Sequence, residues 1–327
     1  MFTKDNLPIS IRIFSYSILA FTLVFLINNV LTVWLDWPGI KKLFSQFGLF
    51  GFRRLSSPLE GLSLVLAFIQ LLFYFISIIL VFFFVRKSTE QTLETDAVIL
   101  TKIAGYIIRS SFWAVLILGI VDFIISFMVV EKLIEPIFNE AIKFKLVNPS
   151  FRITFIHFPL VLISFIIGYF TRSVGFIWLA VLVVGSEFAI VLSRFIFNYE
   201  QAFQGDLVRF WYAALYLFAS AYALMHEGHV RVDVLYTGFS EKRKAWTNSI
   251  GSLILGIPLC LIIIFLGMGG KASIINGPAL SFEITQQGSN GLYLLYLMAI
   301  YLAVFAVSML IQFTSYFMSS SHKILNN

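Results

Sequence analysis

Eight stretches of apolar residues dominate this 327-residue chain. They run approximately 11 to 35, 61 to 85, 107 to 130, 152 to 171, 174 to 196, 208 to 226, 247 to 268 and 292 to 317. A bilayer core about 30 Å thick takes about 20 helical residues to cross, and each stretch has the length to do so. Lipid offers no partner to a backbone amide, so every stretch must satisfy its own hydrogen bonds as an α-helix. The expected fold is therefore all-α: a polytopic integral membrane protein of about eight transmembrane helices. Composition agrees, with 59% hydrophobic and 12% charged residues against about 45–50% and about 25% in soluble domains.

A net charge of +6 does not point to nucleic acid, because the Lys and Arg fall in short connectors and at span ends. There they meet lipid headgroups and set orientation. The lone cysteine, Cys260, lies in an apolar run and reads as a small buried hydrophobe, with no disulfide framework. Lys4 and Arg12 precede an apolar run from Ile13 to about Trp34, longer than the roughly 7–15 residues of a signal-peptide core. It is read as a retained first span.

Only Thr171-Arg172-Ser173 separates the fourth and fifth stretches, which makes them a tight helical hairpin unless one is re-entrant. Trp34, Trp37, Trp113, Trp178, Trp211 and Trp246 fall near expected span ends and read as an interfacial aromatic belt. Residues 38 to 54 mix Phe and Leu with Lys41, Lys42, Arg53 and Arg54. Too short and too charged to span, they fit an interfacial amphipathic helix. The mixed-charge connectors near 86 to 106 and 131 to 151 read as partly helical.

Arg231, Lys242, Arg243 and Lys244 precede the seventh span, whereas Lys271 stands alone after it. Cytoplasmic loops carry the excess of cations, so residues 227 to 246 and both termini are expected in the cytoplasm. Lys41, Lys42, Arg53 and Arg54 run against that orientation.

His226-Glu227-Gly228-His229 has its histidines three apart with glycine between, whereas a zinc-binding helix places them four apart around a glutamate. A polar helix end turning into a loop is the better reading, and no metal or cofactor is expected. Arg231 and Asp233 lie two apart, on opposite sides of a helix but on one face of an extended segment. Each is expected to pair elsewhere and to fix the loop. Within the spans, Glu187 and Asp122 stand out, since an ionised side chain at mid-bilayer costs about 2.5–3.5 kcal/mol on insertion scales. Either a structural interhelical bond or a proton or ion relay would account for them.

The stretch Ala221-Tyr-Ala-Leu-Met-His-Glu-Gly-His-Val-Arg-Val-Asp-Val-Leu-Tyr236 resembles the cytoplasmic signature of DctQ, the small membrane subunit of tripartite ATP-independent periplasmic (TRAP) transporters. Arg194-Phe-Ile-Phe-Asn198 resembles the end of that family's first helix, Gly251 through Pro258 the punctuation of its third, and Glu283 through Leu292 the polar segment before its fourth. Where many members carry an acidic residue after the asparagine, this chain offers Glu200 or Asp206. The likeness covers about residues 174 to 318, in a subgroup with an N-terminal extension. It implies a DctQ-like four-helix membrane domain at 174–327, preceded by an extension of three spans and the interfacial helix at 1–150 and a fourth span with connector at 151–173.

The resemblance further implies a small permease subunit in the bacterial inner membrane. It would scaffold a large, DctM-like membrane subunit during sodium-driven uptake of an organic acid delivered by a periplasmic substrate-binding protein. No catalytic residue is implied; His229, Arg231 and Asp233 would shape the cytoplasmic loop, and Arg194 with Asn198 would cap the outer end of the fifth helix. Two other classes stay open. An autonomous secondary carrier would use interrupted helices in repeated halves, and an intramembrane enzyme would need converging His, Asp or Glu side chains.

Overall fold

The structure, a computed structural model, describes residues 7–171, 176–225, 236–284 and 291–326. Among them eight helices are long and apolar enough to cross a membrane. They are α1 (Leu7–Trp34), α3 (Gly61–Lys87), α4 (Leu93–Val130), α5 (Pro149–Phe170), α6 (Phe176–Phe197), α7 (Ala202–Met225), α8 (Glu241–Gly267) and α9 (Leu295–Asn326). Between the first two lies a short helix, α2 (Gly39–Phe47), and no strand occurs among the described residues. The chain is thus an all-α polytopic membrane protein.

Several helices are longer than the apolar stretches that announced them. Helix α4 begins at Leu93 rather than 107, with Glu94 and Asp96 in its first turn, where carboxylates are favoured by the helix dipole. Helix α7 begins at Ala202. That start places Trp211 more than two turns inside and corrects its reading as an interfacial anchor: it is buried, and its indole donates to the Val115 carbonyl at 3.2 Å. The connector at 131 to 151 forms two short helices, Ile134–Ile137 and Glu140–Val147, the second capped by Asn139.

The chain divides into two compact units. The first comprises residues 1–100, 232–273 and 313–327. Here α1 lies antiparallel to α3, with Tyr16 against Phe84 and Phe21 against Tyr74. Gln70 is buried yet fully used. Its amide donates to Thr32 Oγ1 at 3.0 Å and accepts from the Gly39 amide at 2.9 Å, while Asn28 donates to its backbone carbonyl. Gly39, at φ +77°, opens α2, which buries Leu43 and exposes Lys41 and Lys42. This amphipathic helix falls within the 38 to 54 segment. Arg12 closes the other end of α1: it pairs with Asp96 at 2.5 Å and donates to the Ser88 carbonyl and hydroxyl at the end of α3. Both charged groups are almost wholly buried.

The second unit comprises residues 101–231 and 274–312. Its core combines Phe112, Leu118, Leu179, Phe203, Phe210, Phe218 and Tyr301. Apolar burial drives no association between helices in lipid, so close approach of small residues and interhelical hydrogen bonds carry the packing. Gly168 of α5 shows how close: a Cβ there would stand 2.5 Å from Ser110 Oγ and 2.9 Å from Ser110 Cα. A backbone atom cannot swing aside, so Gly168→Ala is expected to destabilise by about 1–3 kcal/mol. Gly185, whose added Cβ would meet nothing within 4 Å, should accept the same change silently. Heat-induced loss of the monodisperse fraction in detergent compares the two.

Candidate functional site: a buried polar network within the spans

Asp122 lies in α4, deep among apolar neighbours, and is fully buried. The chain supplies its partners from α5. Asn148 caps the start of that helix by accepting from the Phe151 amide, and Pro149 occupies its first turn. A π turn then spans Ile153–His157. In a regular helix Arg152 and His157, five residues apart, would diverge by about 140°; the wider turn brings both round to one side. Arg152 Nε stands 2.6 Å from Asp122 Oδ1 as an ion pair. The straight hydrogen bonds of the guanidinium run from Nη2, to the Asp122 carbonyl at 2.7 Å and Ser126 Oγ at 2.9 Å.

His157 Nε2 lies 2.9 Å from Asp122 Oδ1, and its Nδ1 lies 3.0 Å from the Tyr296 hydroxyl. A carboxylate can only accept, so Nε2 donates to Asp122, while Nδ1 shares a hydrogen bond with the Tyr296 hydroxyl. The Asp122 carboxylate and the Arg152 guanidinium offset one another's charge, which is the condition for keeping charges out of water.

The same carboxylate also reaches the start of α9. Its Oδ2 accepts from the Tyr293 amide at 2.8 Å, and Asp206 of α7 accepts from the Leu292 amide at 3.1 Å. Two acidic side chains thus take up backbone donors at the entrance to a 32-residue helix, where free N–H groups and the dipole both favour negative charge. The Arg152 guanidinium lies 4.4 Å above the Tyr293 ring, whose hydroxyl donates to the Val147 carbonyl. Burial raises the Tyr293 phenol above its ordinary pKa, so it stays a donor. Ser126 donates to the Gly291 carbonyl at 3.4 Å.

Other residues singled out in the sequence lie elsewhere. Arg194 sits 3.3 Å from Glu200, both well exposed, a pairing worth little in water. Asn198 follows α6 in the left-handed conformation, φ +50°, a common place for asparagine after a helix. Next to it Tyr199 donates to Glu131 at 2.6 Å, and burial with that carboxylate raises its pKa. Of the two acidic candidates after Asn198, Glu200 is exposed and Asp206 is buried at the α9 entrance. Glu187 is exposed in α6, and among the described residues no hydrogen bond or ion pair reaches it. His226, His229, Arg231 and Asp233 lie outside the described residues.

The partners of Asp122 are not singled out in the sequence, although Arg152 and His157 fall within the fourth apolar stretch. An ionisable group inside a span is itself a request for a partner. Nothing in the pattern says which carboxylate answers it. Asp122 was legible and its partners were not.

Comparison with known proteins bears on residues 175–319. Searches of curated proteins and of solved structures gave no match. The family model for the DctQ component of tripartite ATP-independent periplasmic transporters does match over 175–319. This stretch holds α6 through most of α9 and every acceptor or donor that the network draws from Asp206, Leu292, Tyr293 and Tyr296. Residues 175–319 are thus similar to the DctQ component of tripartite ATP-independent periplasmic transporters.

Proposed function

We propose that the chain is the small permease subunit of a TRAP transporter, scaffolding the large membrane subunit while an organic acid, delivered by a periplasmic binding protein, is taken up with sodium. The DctQ match over 175–319 carries this reading. In the same reading residues 174–327 are the DctQ-like domain, 1–150 an extension and 151–173 a span with connector, all in the inner membrane with both termini cytoplasmic. Arg194 and Asn198 cap an outer helix end, and His229, Arg231 and Asp233 shape a cytoplasmic loop.

The network supports a static role for the preceding spans. Asp122, Ser126, Arg152 and His157 lie outside the family segment, yet they hold its residues 291–296. The third and fourth spans thus brace the entrance to α9. Two clefts among the described residues are mainly apolar. A cleft of about 370 Å³ is lined by apolar residues with Ser186 and Gln204, and another of about 510 Å³ by apolar residues with Tyr16 and Ser77. Neither lining includes a cation to hold a carboxylate.

Co-expression with the large TRAP membrane subunit encoded in the same genome tests the reading. The two are expected to co-purify in detergent at a fixed ratio, and the chain alone in liposomes should move no organic acid above the empty-vesicle rate. A chain that is stable alone and never captures the large subunit would remove the scaffold role.

A further inference from the structure

Helix α6 is the least covered of the eight spans: 6% of its central window is buried, against 17% for the next, α3. Val184, Phe188, Val191 and Phe195, spaced at helical intervals, are each at least 47% exposed and form one outward stripe. Such a stripe alone is what lipid requires. Glu187 is not, for it borders this stripe eleven residues after Phe176 and ten before Phe197, about 15 Å from either end and so at mid-bilayer depth. Within the chain it has no partner among the described residues. Arg194 on the same side lies about 10 Å further along the axis and stands beside Glu200 instead.

We infer that the Glu187 face of α6 docks a transmembrane helix of a different subunit that presents a lysine or arginine at mid-bilayer depth. A carboxylate at that depth needs a cation or strong donors brought to it, and charged residues inside membranes pair with one another for this reason. A second copy of the chain fits poorly, because a two-fold contact would set Glu187 against Glu187, and two carboxylates in one site cannot both stay ionised.

This inference rests on the small-subunit reading and names the contact that assembly would use. The test co-expresses the tagged chain with the same large TRAP membrane subunit and captures the pair in mild detergent. Glu187→Lys is expected to cut capture at least tenfold while the variant alone still elutes as a monodisperse peak, and Glu187→Gln, which keeps hydrogen-bonding capacity, to cut it less. A second measurement leaves Glu187 in place. On a Cys260→Ser background, Val184→Cys and Val191→Cys should each cross-link to the large subunit through a short thiol-reactive linker. Wild-type capture with undiminished capture of Glu187→Lys, or with cross-links only between copies of this chain, overturns the inference and leaves the small-subunit reading standing. Failure of the wild-type chain to be captured overturns both.

Discussion

Asp122→Ala is expected to cost about 3–5 kcal/mol, the range seen when one partner of a buried ion pair is removed. Arg152, almost wholly buried, would keep its charge with no carboxylate, and the Tyr293 amide would lose its acceptor. Denaturant titration in mixed micelles, or the midpoint of heat-induced aggregation in detergent, reads the loss. Asp122→Asn should fall between, since an amide oxygen still accepts from Tyr293 but does not neutralise arginine. The double change Asp122→Leu with Arg152→Met removes both charges together and should recover much of the loss, because apolar replacement of a whole buried pair is often tolerated. Recovery would show that the network works by balance rather than by any one bond. A network needed only for chemistry would leave the stability of every variant unchanged.

Asp96→Ala in the first unit is expected to be of similar size for a related reason. Arg12 has 1% exposure and pairs with Asp96 at 2.5 Å, so the single change strands a guanidinium. Here too the compensated double change, Arg12→Met with Asp96→Leu, should recover much of the loss. Arg12 also donates to the Ser88 carbonyl at 2.7 Å, an acceptor that keeps the Gln91 amide at 3.1 Å when the guanidinium is gone. The coupling energy from the four-variant cycle isolates the pair itself. A coupling near zero would mean that Ser88 and Gln91 alone hold the arginine.

The eight spans were legible because twenty apolar residues in a row have one stable outcome in lipid, and the resemblance to DctQ was legible from four ordered short matches between Arg194 and Leu292. Boundaries were less so. Helix α4 starts at Leu93 because the carboxylates of its first turn suit a helix N-terminus as well as being poor lipid neighbours, and hydropathy registers only the second property. Trp211 reads as an anchor because it lies near the start of the sixth apolar stretch, yet the helix carrying it starts at Ala202. His157 was present inside a span without attracting notice, since a lone histidine has no periodic signature and its partners lie 35 and 139 residues away.

By itself the sequence determined that this chain is helical, crosses a membrane about eight times and carries a DctQ segment in its second half. Composition and local order suffice for that, because each span satisfies its backbone within itself. Only the tertiary structure decided which buried charges meet: that Asp122 is neutralised by Arg152, that a π turn aims His157 at it, and that the same carboxylate holds the entrance of α9. It also decided that Glu187 faces outward without a partner among the described residues. These are questions of which helix face turns toward which neighbour, and hydropathy carries no information about pairing between segments far apart in the chain.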